Sequence, residues 1–278
     1  MRFGFHVSIS GGFRKVIARA VQRECETIQI FSRNPRAWKY RPLNEDDLMV
    51  FVQEAKEHDI QPIFVHMPYL VNLASADRGL FERSVKSLIE GLRRSARIEA
   101  PFLIMHVGSS PDPDQGLKQM VKGIDQALSK TSNEVMLLLE NTAGGGGELG
   151  HDFSQLRTIL DGIGHRKRTG IVLDTAHAFA AGYDLQTRDA VNRTISELDR
   201  FVGLDRLYLI HLNDSKTGCG SRSDRHWHIA KGMIGPGMSH ILRHPALRHL
   251  PFIMETPRKA LKDDQMNMKM AKKLAGYK

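Results

Sequence analysis

The sequence predicts a single (β/α)8 barrel, an α/β fold of the TIM-barrel class, spanning residues 1–278 as one domain. Three observations carry this expectation. Eight short apolar runs alternate with helical segments at the spacing of βα units. No repeat, low-complexity tract or linker divides the chain, and 41% hydrophobic content suffices for a large core. The first run is not followed by GxGxxG, which argues against a doubly wound sheet built around a dinucleotide.

The first strand is FGFHVSIS, residues 3–10, broken by Gly11 and Gly12. His6 lies inside it and reads as a hydrogen-bonded core histidine rather than a metal ligand. Residues 13–24 then show helical periodicity, with Val16, Ile17, Ala20 and Val21 on one face. TIQIF, residues 27–31, is the second strand, followed by the basic and aromatic stretch SRNPRAWKYRPL. Arg33, Arg36, Lys39 and Arg41 alternate there with Trp38 and Tyr40. That mixture suits a nucleic-acid surface, cations for phosphates and rings for stacking, or else a solvated loop held by a packed tryptophan. Asn44 caps the next helix, whose first turn is acidic.

IFVH, residues 63–66, is the third strand and ends on His66; Tyr69 and Leu70 lead the loop after it. An amphipathic helix runs from Asp77 to about Arg97. FLIMH, residues 102–106, ends on His106, and a helix occupies DPDQGLKQMVKGIDQAL. VMLLLE, residues 135–140, ends on Glu140 and opens into NTAGGGGELG. This run lacks the GK[ST] of a phosphate-binding loop and reads as a mobile loop beside a site. FSQLRTILDGI is the next helix. GIVLD, residues 170–174, is the sixth strand and ends on Asp174, with His177 three residues on. Residues 187–202 form a helix, and LYLIHL, residues 207–212, carries His211. A long polar loop holds Asp224 and His226. PFIME, residues 251–255, is the eighth strand and ends on Glu255, and a basic, Met-rich helix runs from Asp263 to the end.

Composition narrows the function. Lys plus Arg exceed Asp plus Glu by 40 to 31, a net charge of +9 that favours anionic partners, nucleic acid first among them. No apolar run approaches the roughly 20 residues of a membrane span. MRFGFHVSISGG has no long apolar segment, so a secretory signal is not expected. Cys25 and Cys219 are the only cysteines, which excludes a disulfide framework and a thiolate metal cluster; a cytoplasmic compartment is expected.

His66, His106, Glu140, Asp174, His211 and Glu255 stand at or beside the ends of six strands. In a barrel those ends meet on one face, where active sites sit. So many buried carboxylates and imidazoles need cations, most economically more than one metal ion. Asp174 and His177 are a further ligand pair, or else a helix cap and a surface histidine. Asp224 and His226, two apart, point the same way in an extended segment, or else belong to a charged turn.

The same stretches resemble endonuclease IV, the zinc-dependent apurinic/apyrimidinic endonuclease family of base-excision repair. FSRNPRAW, HMPYLVNLAS, HVGS, LLENTAGGGGELG, LDTAHAFAAGYD, HLNDSK, DRHWHIAKGMIG and ETP occur in that order, from GFHVSISGG near the start to METP near the end. The resemblance implies three Zn2+ ions. The first would use His66, His106 and Glu140. The second would share Glu140 and add Asp174, His211 and Glu255. The third would use His177, Asp224 and His226. Mn2+ or Fe2+ suit the same donors. Arg36, Tyr69 and Leu70 match residues that the family inserts into duplex DNA. The implied reaction is hydrolysis of the phosphodiester 5′ to an abasic site by metal-activated water, with Glu140 as bridging catalytic carboxylate; a monomer is expected. Val107, Gly145 and Ala230 depart from the pattern, where the family has proline, often glutamine, and glycine. The competing expectation is a metal-dependent sugar isomerase or epimerase on the same barrel, for which the third ligand set has no obvious use.

Overall fold

The computed structural model describes residues 1–277. Eight parallel strands close into a barrel: β1 (Arg2–Val7), β2 (Thr27–Phe31), β3 (Ile63–His66), β4 (Phe102–His106), β5 (Met136–Glu140), β6 (Thr169–Asp174), β7 (Leu207–His211) and, after an excursion, β10 (Pro251–Met254), which pairs with both β7 and β1. The TIM-barrel expectation is therefore met. Helices α1 (Val16–Val21), α2 (Glu45–Glu57), α3 (Arg78–Arg97), α4 (Pro113–Ser129), α5 (Phe153–Gly162), α7 (Arg188–Phe201) and α9 (Leu261–Ala275) interleave with the strands. Several start for a local reason, where a side chain satisfies a free backbone N–H: Asn44 for α2, Asp112 for α4 and Thr187 for α7. Among the described residues no helix is long and apolar enough to cross a membrane.

Strand side chains alternate, and the two faces bury differently. Outward residues such as Val65, Leu103, Leu137 and Leu173 join the large core beneath the helices. Phe64, Ile104, Leu138, Val172, Leu209 and Ile253 form a separate cluster of their own. They come from six different strands and plug the barrel interior. Residues two positions further along a strand share that face. Those residues are His66, His106, Glu140, Asp174, His211 and Glu255. On β1 and β2 the same position falls on His6 and Gln29, which face each other in register. Below His6 sits Gly4, where a Cβ would lie 1.7 Å from the Thr27 carbonyl oxygen, so glycine lets β1 and β2 approach. The polar layer thus rests directly on an apolar plug.

Several elements differ from expectation. β1 ends at Val7, because Gly11 and Gly12 turn the chain at φ +80° and +101° and release residues 8–10 into the barrel mouth. The helix expected over 13–24 is a short 3-10 turn and then only Val16–Val21. The last helix begins at Leu261, and the Asp263 side chain accepts from the Lys259 and Ala260 N–H groups. α6 (Thr175–Ala181) is the helix that the capping reading of Asp174 requires; α8 (Met238–Leu242) and an antiparallel ribbon of β8 (Asp214–Ser215) and β9 (His226–Trp227) were not anticipated. Asp214 anchors that excursion, accepting from the N–H groups of Gly232, Ile234 and Gly235.

Ala230, in the same excursion, sits at φ +58°. A left-handed conformation costs an L-residue roughly 1–2 kcal/mol. Glycine there relieves that strain but returns ~0.4–1 kcal/mol through the unfolded chain. Ala230→Gly is therefore expected to raise the unfolding free energy by about 0.5–1 kcal/mol, read by chemical denaturation; an unchanged or lowered midpoint would contradict the strain argument.

Candidate metal centre

The barrel mouth holds a cavity of about 1000 Å3, lined by residues that include His66, His106, His177, Asp224, His226 and Glu255. Glu140, Asp174 and His211 lie fully buried beneath. His66, His106, Glu140, Asp174 and His211 each close a barrel strand, and Glu255 follows the last one. His177 comes from the first turn of α6, and Asp224 and His226 from the ribbon and the residues leading into it. All nine expected residues therefore converge.

Their donor atoms fall into three groups able to hold cations: His66, His106 and Glu140; Glu140, Asp174, His211 and Glu255; and Asp174, His177 and His226, with Asp224 beside the last. In the first, His66 Nε2 and His106 Nε2 approach the same Glu140 oxygen, Oε2, at 3.1 and 3.3 Å. In the second, Glu140 Oε1 lies 2.8 Å from His211 Nδ1, with Glu255 Oε2 and Asp174 Oδ2 at 3.6 and 3.8 Å from that nitrogen. Glu140 thus turns one oxygen to each group. In the third, His177 Nε2 and His226 Nε2 are 3.3 Å apart, and Asp224 Oδ1 lies 3.3 and 3.4 Å from them. Asp174 Oδ2 also comes within 3.6 Å of His226 Nε2, so this carboxylate faces the second and third groups together.

The second nitrogen of each ring decides what the first can do. His66 Nδ1 donates to the Met67 carbonyl at 2.7 Å, and His177 Nδ1 to that of Asn141 at 2.9 Å. His226 Nδ1 faces the Glu255 carbonyl at 3.3 Å, and His211 Nε2 donates to Gln29 Oε1 at 2.7 Å. The other ring nitrogen is left facing the pocket, against carboxylate oxygens and, in the third group, against the nitrogen of another ring. Among the described residues no Lys or Arg pairs with Glu140, Asp174, Asp224 or Glu255. Converging ring nitrogens and carboxylate oxygens with no Lys or Arg among them fit metal ions, and an oxygen and nitrogen set without thiolate fits a borderline or hard divalent ion.

Electrostatics agree. Burial pulls the His211 imidazole down, but Glu140, Glu255 and Asp174 outweigh it and lift it to about 9. His177 is likewise lifted well above the usual range against burial, chiefly by Asp174, Asp224 and Glu140. Burial pushes the Glu140 carboxyl up, yet His211 and His106 hold it well below its ordinary range. Asp224 is drawn to about 2 by His177 and His226, again against burial. In the absence of cations, protons are the positive charges that this pocket collects.

Several residues that position these groups escaped the sequence reading. Asn141 brackets the Asp174 backbone, accepting from its N–H at 2.7 Å and donating to its carbonyl at 3.1 Å. Asn213 donates to Asp174 Oδ2 at 2.7 Å and accepts from the Glu255 N–H at 2.8 Å. Both directly follow or nearly follow a ligand in sequence, which is the signal that was available. Asp174 is itself both cap and site residue: Oδ1 accepts from the His177 N–H at 2.8 Å while Oδ2 faces the pocket. His177 is buried, not on a helix surface.

At the rim, Arg36 and Tyr69 line the cavity, and Tyr69 is 65% exposed; Leu70 is half-buried beside it and does not line the cavity. The basic and aromatic stretch divides in two. Arg33 is buried, donates to the Trp38 carbonyl and Ser87, and lies 5.1 Å from the Tyr40 ring centroid. Arg36, Lys39 and Arg41 stay at the surface. The glycine loop is pinned rather than free: Ser110 N–H donates to the Gly147 carbonyl and Leu149 N–H to that of Gly108, both at 2.9 Å.

A family model described as a xylose isomerase-like TIM barrel matches residues 17–274. The chain is 44% identical to a probable endonuclease 4 of Nitrosopumilus maritimus, covering 99% of this chain and all of that one, and 42% identical to its counterpart in Methanosphaerula palustris over 99% and 98%. The crystal structure of endonuclease IV from Thermus thermophilus superposes with a TM-score of 0.88 at 34% identity, over 99% and 98% of the two chains. The chain belongs to the endonuclease IV family. A D-tagatose 3-epimerase-like protein superposes at a TM-score of 0.73 with 17% identity, over 99% and 97% of the two chains, a likeness of fold alone.

Two of the departures from the endonuclease IV pattern, Val107 and Gly145, lie in tightly filled surroundings. Val107 is fully buried, and a Cβ on Gly150 would meet it at 2.5 Å. At Gly145 a side chain would approach the Arg222 carbonyl at 3.0 Å, so the ribbon loop occupies that space.

Because His211 rests at about 9, it carries a proton at pH 7 that an entering cation must displace. Cation uptake by stripped protein is expected to release protons at pH 7. Its apparent affinity should rise with pH and level off above about 9. Calorimetric titration in buffers of different ionisation enthalpy reads this directly; buffer-independent heats at pH 7 would refute it.

Proposed function

We propose that the chain is a DNA-repair hydrolase, an AP endonuclease of the endonuclease IV type, that cleaves duplex DNA 5′ to abasic sites and leaves a 3′-hydroxyl and a 5′-deoxyribose phosphate. The whole chain acts as one barrel domain. Zinc is the expected ion, three per chain: one with His66, His106 and Glu140, one with Glu140, Asp174, His211 and Glu255, and one with His177, Asp224 and His226. The observation that carries this reading is the third group, where two imidazole nitrogens and a carboxylate oxygen meet within 3.4 Å of one another, with Asp174 beside them. When bound, such ions polarise phosphate oxygens and make hydroxide available near neutral pH.

The chain's own residues do the rest. Glu140, with one oxygen toward each of two groups, keeps neighbouring positively charged sites together without mutual repulsion. The deeply buried floor holds the ligands rigid, since His66, His177 and His211 are each tied through the second ring nitrogen. Arg36 and Tyr69 stand at the rim, where a cation meets phosphate and a ring meets bases. An abasic nucleotide has no base to unstack, so drawing it into the cavity costs less than the few kcal/mol of a paired one, and selectivity follows. A sugar epimerase shares the barrel but has no evident use for the third group. The free thiols Cys25 and Cys219 suit a reducing, cytoplasmic setting.

Glu140→Gln is expected to lower cleavage of an abasic oligonucleotide more than about a hundredfold while duplex binding persists; cleavage at the parent rate would overturn the bridging role. Tyr69→Ala should weaken binding to abasic duplex by roughly 5–100-fold, the range of one stacking contact. Its thermal stability should hardly move, because the ring is exposed. Unchanged affinity in a binding titration would remove Tyr69 from the interface.

A further inference from the structure

Gln29 is the one long amide side chain on the inner face of the barrel at the level of the ligands, fully buried in an otherwise apolar strand. A buried amide costs stability unless every polar atom is matched. Here each one is matched to the site. Oε1 accepts from His211 Nε2 at 2.7 Å. Nε2 donates to Glu255 Oε1 at 2.6 Å and approaches His6 Nδ1 at 2.9 Å.

The amide is directional, and both of its ends carry consequences. With its oxygen on His211 Nε2, the His211 proton must sit there, so the Nδ1 lone pair faces Glu140, Asp174 and Glu255. With its nitrogen on Glu255 Oε1, the other oxygen, Oε2, is the one left to face His211 Nδ1. His6 Nδ1 completes the cluster, 2.9 Å from Gln29 Nε2 and 3.0 Å from the same Glu255 Oε1, while its buried Nε2 has no partner among the described residues.

We infer that Gln29 is the positioning residue of the second cation site: one amide fixes the tautomer of His211 and the orientation of Glu255, and so sets how firmly that site holds its ion. The inference rests on reading Glu140, Asp174, His211 and Glu255 as a cation site.

The test uses full-length, zinc-loaded protein challenged with a chelator, with released zinc followed over time. Gln29→Met keeps the length of the side chain and removes all three hydrogen bonds. It is expected to weaken the hold on about one ion per chain by roughly 10–100-fold, leaving the others at the parent rate. Gln29→Ala, which leaves room for water, should act in the same direction with a smaller factor. In steady-state cleavage of abasic duplex at limiting zinc, kcat should fall and excess zinc should restore it, a rescue that a general loss of packing would not give. His211→Ala serves as the control for direct loss of a ligand. Should that control release an ion early while Gln29→Met and Gln29→Ala match the parent, the positioning role is overturned. Should the control also match the parent, the cation site itself is wrong.

Discussion

Everything in this structure depends on an imbalance of charge at the barrel mouth. Four carboxylates stand among five imidazoles, mostly shielded from water, and the fixed cations of a +9 chain stay away from them. Burying such groups is costly unless positive charge enters. The rings can take up part of it as protons, and the carboxylates lift His177 and His211 above the usual range for that reason. The pocket is therefore stable only with something that brings positive charge, either protons or metal ions. The nitrogens of His177 and His226, turned to one another at 3.3 Å, hold the donors of a metal ion side by side.

The barrel meets this demand through stagger and alternation. Strand periodicity puts one inward residue of each strand on the plug and the next inward residue in the polar layer. The apolar six below give the ligands a dry, close-packed floor. The main core, on the other side of the same strands, carries the helices. Function and stability thus draw on opposite faces of the same short segments. A strand such as Leu137–Leu138–Leu139–Glu140 contributes to core, plug and site in four residues.

This division explains what could be read from the sequence. A charged or imidazole residue ending an apolar run is conspicuous, so His66, His106, Glu140, Asp174, His211 and Glu255 were legible together with the eightfold strand count. The ribbon was not, because its strands are two residues each and are held by Asp214 accepting backbone N–H groups, a tertiary arrangement without periodicity. Gln29 was hidden by its neighbours: TIQIF reads as an apolar strand, and only its partners reveal why an amide sits there. Arg33 misled in the other direction. Its position among aromatics looked like a surface for nucleic acid, whereas it braces the loop from within, and only its exposed neighbours remain available to a phosphate.

The likeness to epimerase barrels sharpens what is distinctive. Chains of 17% identity reproduce the architecture, so the barrel alone does not select a reaction. His66, His106, Glu140, Asp174, His211 and Glu255 belong to the strands and their immediate ends, and any barrel of this kind has places for such residues. His177, Asp224 and His226 do not. They ride on α6 and on the ribbon excursion, two insertions between strand and outer helix that the barrel has no structural need for. Asp174 joins the two layers, capping α6 with one oxygen and facing both groups with the other. The third donor group is therefore built outside the strands, on a strand-end carboxylate that it shares with the second.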